Sequence, residues 1–98
     1  MKLLLVTCIE EYEKDVKKIL KHSGVQSFSY QEVRGYSNGG SLQASFMSEN
    51  IPTASLLFTV FIENQCIDEL FESFEEFNRK QAVNTKIHVA CLDVNQSI

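Results

Sequence analysis

Apolar and polar positions along this chain fall into short patterned segments. Lys2 to Cys8 (KLLLVTC) is a nearly continuous apolar run with β-branched members, which predicts a buried central strand. Glu10, Glu11 and Glu13 open a second segment, in which Tyr12, Val16, Ile19 and Leu20 recur at helical spacing. Its acids sit in the first turn, and Lys17, Lys18, Lys21 and His22 lie near its end, as the helix dipole favours. Gly24 is placed to supply the left-handed residue that closes the helix.

Val25 to Val33 alternates, with Phe28 and Tyr30 on one side and Ser27 and Ser29 on the other, as in a half-buried strand near a sheet edge. Ser55 to Ile62 (SLLFTVFI) is a second continuous apolar strand. Asn64 is placed to cap a helix whose stripe is Ile67, Leu70, Phe71, Phe74 and Phe77. Glu69, Glu72, Glu75 and Glu76 cover the outer side of that helix as a solvated face. Lys86 to Leu92 (KIHVACL) alternates as a fourth strand. The order β-α-β-β-α-β predicts a ferredoxin-like α+β sandwich, an antiparallel four-stranded sheet with two helices on one face. Residues 1–98 form a single domain on this reading, with a long loop at 35–52.

Helices cover only one face of such a sheet, so the other should be polar at alternate positions. It is not. In the third strand Leu56, Phe58, Val60 and Ile62 lie on one face, yet the other carries Leu57 and Phe61. The first strand sets Leu3 and Leu5 against Leu4 and Val6, and the fourth sets Ala90 and Leu92 against Ile87, Val89 and Cys91. A large apolar side chain left in water forfeits roughly 1.5–3 kcal/mol. The bare face is therefore expected to be a subunit interface.

Composition narrows the class. Of 98 residues, 44% are apolar and 22% charged, as in an ordinary globular domain. A net charge of −4 speaks against nucleic acid as a partner. The apolar N-terminal run is too short for a membrane span or a signal sequence, so membrane insertion is not expected. Three widely spaced cysteines, Cys8, Cys66 and Cys91, form neither a disulfide framework nor a zinc motif, which suits a cytoplasmic location.

The stretch Phe28-Ser29-Tyr30-Gln31-Glu32-Val33-Arg34-Gly35-Tyr36 resembles the second strand of PII-type nitrogen-regulatory proteins, where Glu-Val-Lys-Gly-Phe runs into the long T-loop. Glu63 to Asp68 is similar to the start of their second helix, and Lys86-Ile87-His88-Val89 to the opening of their fourth strand. The resemblance implies a homotrimer, a small effector bound at the subunit clefts and a partner protein, a membrane transporter among the candidates, met by the loop. It departs in two places. Ser37-Asn38-Gly39 stands where those proteins have Gly-Arg-Gln, and Gln81 to Lys86 has no glycine where they carry a phosphate-cradling loop. An amide cradle for phosphate needs small residues, so ATP binding in the standard mode is not expected. The pattern looks closer to divergent PII-like proteins with short T-loops and no nucleotide motif.

The 16 residues between Gly35 and Pro52 far exceed an ordinary hairpin connection. They are the main candidate for ligand or partner contact. The expected contacts are Arg34, Gly35, Tyr36, Ser37 and Asn38 at the loop base, Phe46 and Met47 within the loop, and Lys86 from the last strand. A different reading makes the chain a metal-binding accessory protein linked to copper or zinc efflux. Cys8 and His88 would then be soft ligands on neighbouring strands, with Met47. A third reading, a small ferredoxin-like enzyme, needs a pocket of titratable groups that the sequence scarcely offers, and no catalytic residue is assigned.

Overall fold

The computed structural model describes residues 1–35, 53–81 and 85–98. The expected loop contacts Tyr36, Ser37, Asn38, Phe46 and Met47 lie outside the described residues. The chain forms β1 (Lys2–Ile9), a 3-10 turn (Glu10–Tyr12), α1 (Glu13–His22), β2 (Ser29–Gly35) and β3 (Thr53–Ile62). A second 3-10 turn (Asn64–Cys66), α2 (Ile67–Arg79) and β4 (His88–Asp93) follow. The strands make one antiparallel sheet in the order β2-β3-β1-β4. This is the ferredoxin-like arrangement: the two apolar runs hold the centre, and the alternating strands take the edges.

Strand parity decides which residues form the core. Leu4, Val6 and Cys8 of β1 and Leu56, Phe58, Val60 and Ile62 of β3 point to one face and are buried. Val16 and Leu20 of α1, Leu70 and Phe74 of α2, and Ile87 join them in one cluster. The two helices therefore pack on the same face. Phe58 anchors the β2 side: Tyr30 stacks on it with ring centroids 5.0 Å apart, and Phe28 packs at 5.7 Å. Tyr12 meets Phe77 edge-on at 5.0 Å and ties the first 3-10 turn to α2.

Several element boundaries differ from the sequence pattern, each for a local reason. The alternation that begins at Val25 does not become strand until Ser29. The Val25 and Gly24 amides instead close α1, donating to the Leu20 carbonyl at 3.0 Å and the Lys21 carbonyl at 3.1 Å. This is the Schellman pattern, and Gly24 adopts the left-handed φ of 85° that it requires. Asn64 does not cap α2. It opens the 3-10 turn, no side chain caps the turn or the helix, and the Cys66 amide is satisfied by the Glu63 carbonyl at 3.1 Å. Lys86 and Ile87 precede β4 rather than forming part of it. The Asn78 side chain takes both backbone groups of Ile87 at 2.8 Å, donating to its carbonyl and accepting from its amide.

The face away from the helices is the unusual one. The register puts Leu3, Leu5, Thr7 and Ile9 of β1 beside Phe61, Thr59, Leu57 and Ser55 of β3. His88, Ala90 and Leu92 of β4 and Ser29, Gln31 and Val33 of β2 complete it. Phe61 is 55% exposed and Leu92 46% exposed. Among the described strand residues on this face, His88 is the one ionisable side chain.

Candidate functional site

Four chain segments converge at one end of the sheet. Ile9 at the close of β1 lies opposite Ser55, and Gly35 at the close of β2 lies opposite Thr53 at the start of β3. His88 at the start of β4 lies opposite Thr7, at the same end. The chain leaves this end after Gly35 and returns to it at Thr53, so both feet of the 36–52 segment are anchored here.

Beside those feet lies a cleft of about 330 Å³, lined by Glu10, Glu32, Val33, Arg34, Ala54 and Ser55. Its polar groups follow from strand geometry. Glu32 and Arg34 are two residues apart on β2, opposite Leu56 and Ala54, and so share a face with their Cα atoms roughly 7 Å apart. Both are exposed, because β2 is an edge strand and its final residues run past the core. Glu10 enters from the 3-10 turn that redirects the chain after β1. The ion pairs among the described residues lie elsewhere, joining Lys2 to Asp93 and Lys17 to Glu13.

Arg34 and Gly35, expected at the loop base, stand at the rim of this cleft or beside it. Lys86, also expected there, reaches the same end of the sheet but on the far side. It precedes β4, and β4 and β2 are opposite edges, three strand spacings or roughly 14 Å apart. Within one protomer Lys86 and Arg34 therefore stand at opposite edges of the sheet. Glu10 and Glu32 were not singled out by the spacing of the sequence. Only the β2–β3 register and the turn after Ile9 bring them together.

The expected metal pair does not form. Cys8 and His88 do lie on adjacent antiparallel strands, but the register sets His88 opposite Thr7. Neighbouring residues of a strand point to opposite faces. Cys8 is buried under the helices at 4% exposure, whereas His88 lies exposed on the open face. Burial, reinforced by the carboxylates of Glu13 and Asp15, pushes the Cys8 thiol up to about 11, away from the thiolate a soft metal needs. No group of three or more Cys, His, Asp or Glu side chains suited to a metal ion occurs among the described residues.

Gln81, Thr85 and Ile87, which follow α2, are held by side chains. The Tyr12 hydroxyl lies 3.0 Å from Gln81 Oε1 and 3.2 Å from Thr85 Oγ1, and Asn78 grips Ile87. No helix among the described residues is long and apolar enough to cross a membrane.

No family model matches the chain, and no curated protein matches it. Solved structures do. CPII, a nitrogen regulatory PII-like protein from Thiomonas intermedia K12, bound to ADP, AMP and bicarbonate, superposes with a TM-score of 0.67 at 15% identity, covering 99% of this chain and 94% of that one. The same protein bound to ADP, AMP and acetate gives 0.64 at 18% identity, covering 97% and 88%. Bound to ADP and bicarbonate it gives 0.66 at 14% identity, with coverage of 97% and 88%. The fold of this chain is that of the PII-like nitrogen regulatory proteins over nearly its whole length.

Proposed function

We propose that this chain is a PII-like regulatory protein: a homotrimer that binds a small effector at its subunit clefts and meets a partner protein through residues 35–52. The observation that carries the proposal is the convergence at one end of the sheet. Both feet of the 36–52 segment stand there, beside a cleft rimmed by Glu10, Glu32 and Arg34. An effector in that cleft touches the base of the segment and so biases its conformation, which is how binding becomes a signal. Tyr36, Ser37 and Asn38 would extend the contact, and Phe46 and Met47 would supply apolar contact to the partner.

Two further observations support assembly. The open face of the sheet is apolar, and a second copy is its natural cover. Lys86 and Arg34 stand at opposite edges of one protomer, and a symmetric trimer would let a neighbour's Lys86 meet Arg34 on one ligand.

A thermal-shift panel tests the effector reading, since a ligand of the native state raises the melting temperature by mass action. Adenine nucleotides, bicarbonate and free amino acids form the panel. The expected result is stabilisation by at least one class, lost in Arg34→Ala. No response to any class in the wild-type protein would overturn the reading.

A further inference from the structure

The open face of the sheet carries one group whose charge changes near neutral pH. Strand parity sends the other charged side chains of the strands, Lys2, Glu32, Arg34 and Asp93, to the opposite face and leaves His88 on this one. Among the described residues β4 pairs with β1 alone, which sets Thr7 opposite His88 and Leu5 opposite Ala90. No carboxylate faces the imidazole from the strands. Off the strands, the charged groups at this end are exposed Lys86, two residues before His88, and Glu10, in the turn after Ile9. They are one of each sign.

The face is large enough to be covered by a second copy. Four paired strands, the central two of 8 and 10 residues, span roughly 500 Å² in projection. Side chains standing up from it, with Phe61 and Leu92 half-exposed, bring the accessible area towards the roughly 800 Å² per partner that a stable interface buries. Three such faces gathered about one axis bring apolar side chains and no counter-charge to His88. A neutral imidazole tolerates that cover, whereas an imidazolium loses its hydration and gains no partner.

We propose that His88 makes assembly through the open face pH-dependent: protomers associate with the imidazole neutral, and mild acidification drives them apart. The proposal rests on reading this face as the subunit interface. Its sign follows from linkage. The separate protomer binds a proton that the assembly must shed, so association is strongest above the ordinary imidazole value of about 6.5 and weakens as pH falls below it. Net charge acts the other way. Each protomer carries −4 at pH 7, and acidification lessens that mutual repulsion. Dissociation on acidification therefore identifies a specific group.

Sedimentation equilibrium of the full chain at pH 7.0 and pH 5.5 tests it. If each of three protomers sheds one proton, the trimerisation constant falls roughly five-hundredfold between the two. His88→Phe and His88→Gln should each abolish that fall. His22, the other histidine, lies exposed at the end of α1, and His22→Gln should keep it. Circular dichroism at pH 5.5 should show the separated protomer folded. A wild-type trimer equally strong at both pH values overturns the proposal and leaves the interface reading standing. So does a fall that survives in both His88 variants, disappears in His22→Gln, or coincides with unfolding. A wild-type monomer at pH 7.0 overturns both.

Discussion

A single step of strand register decides the chemistry open to Cys8. One residue earlier, Thr7 shares the open face with His88; Cys8 itself turns into the core. With its thiol pushed up to about 11, only about one molecule in a thousand carries the thiolate at pH 8. Ellman's reagent should therefore modify the exposed Cys91 rapidly and Cys8 only as fast as the protein unfolds. Rapid modification of Cys8 in a Cys66→Ser, Cys91→Ser background would contradict that placement. Gly24 offers a second check at this scale. No atom lies within 4 Å of where a Cβ would stand, so Gly24→Ala meets no clash. Its cost is the left-handed backbone alone, about 1–2 kcal/mol in a denaturant melt. The helix-closing role of Gly24 was legible in the sequence because it depends on near neighbours along the chain. Glu10 and Glu32 were not, because they meet only through the pairing of β2 with β3 and the turn that follows β1.

The elements were legible wherever burial imposes a period. Alternation in β1 and β3 separates Leu4, Val6, Phe58 and Val60 from Leu3, Leu5, Leu57 and Phe61, and the helical stripes end on Val16, Leu20, Leu70 and Phe74. Boundaries were harder, because hydrogen bonds set them. Val25 looks like strand but spends its amide on the end of α1, and the Asn64 side chain leaves α2 uncapped. Such bonds make specific predictions. Asn78→Ala removes both bonds to the Ile87 backbone and should cost about 1–3 kcal/mol of unfolding free energy in urea, with Asn78→Asp recovering part of it. At the other edge α1 is fastened to β2 by Lys17, which donates to Glu13 at 2.6 Å and to the Tyr30 hydroxyl at 3.0 Å, and stands 4.4 Å over the Tyr30 ring. The Lys17 hydrogen bond holds the Glu13 carboxyl below its ordinary 4.5, outweighing desolvation, and the Tyr30 hydroxyl adds to it. A lowered carboxyl stabilises the fold above its unfolded value and loses that contribution as pH falls through the folded one. The melting temperature of wild type should thus exceed that of Glu13→Gln modestly near neutrality, and the gap should close below pH 4. A gap that widens on acidification would contradict the pairing.

At the scale of the whole molecule, the account turns on the open face of the sheet. Phe61, Leu92, Leu3, Leu5 and Leu57 give it the character of a core surface left uncovered, and His88 is its one ionisable group among the described strand residues. This was legible early, since strands apolar on both faces need two covers and the helices supply only one. The cleft was less legible. Its walls come from β2, β3 and the turn after β1, a convergence with no signature in linear spacing. If trimers form through this face, a carboxylate at its centre should prevent them. Phe61→Asp points a charge from a side chain already 55% exposed, so the protomer should keep its fold while losing its partners. The most direct measurement is the solution mass of the wild-type chain by multi-angle light scattering at micromolar concentration. The account predicts three times the 11.2 kDa protomer, falling to one protomer in Phe61→Asp. A wild-type mass of 11.2 kDa would contradict it.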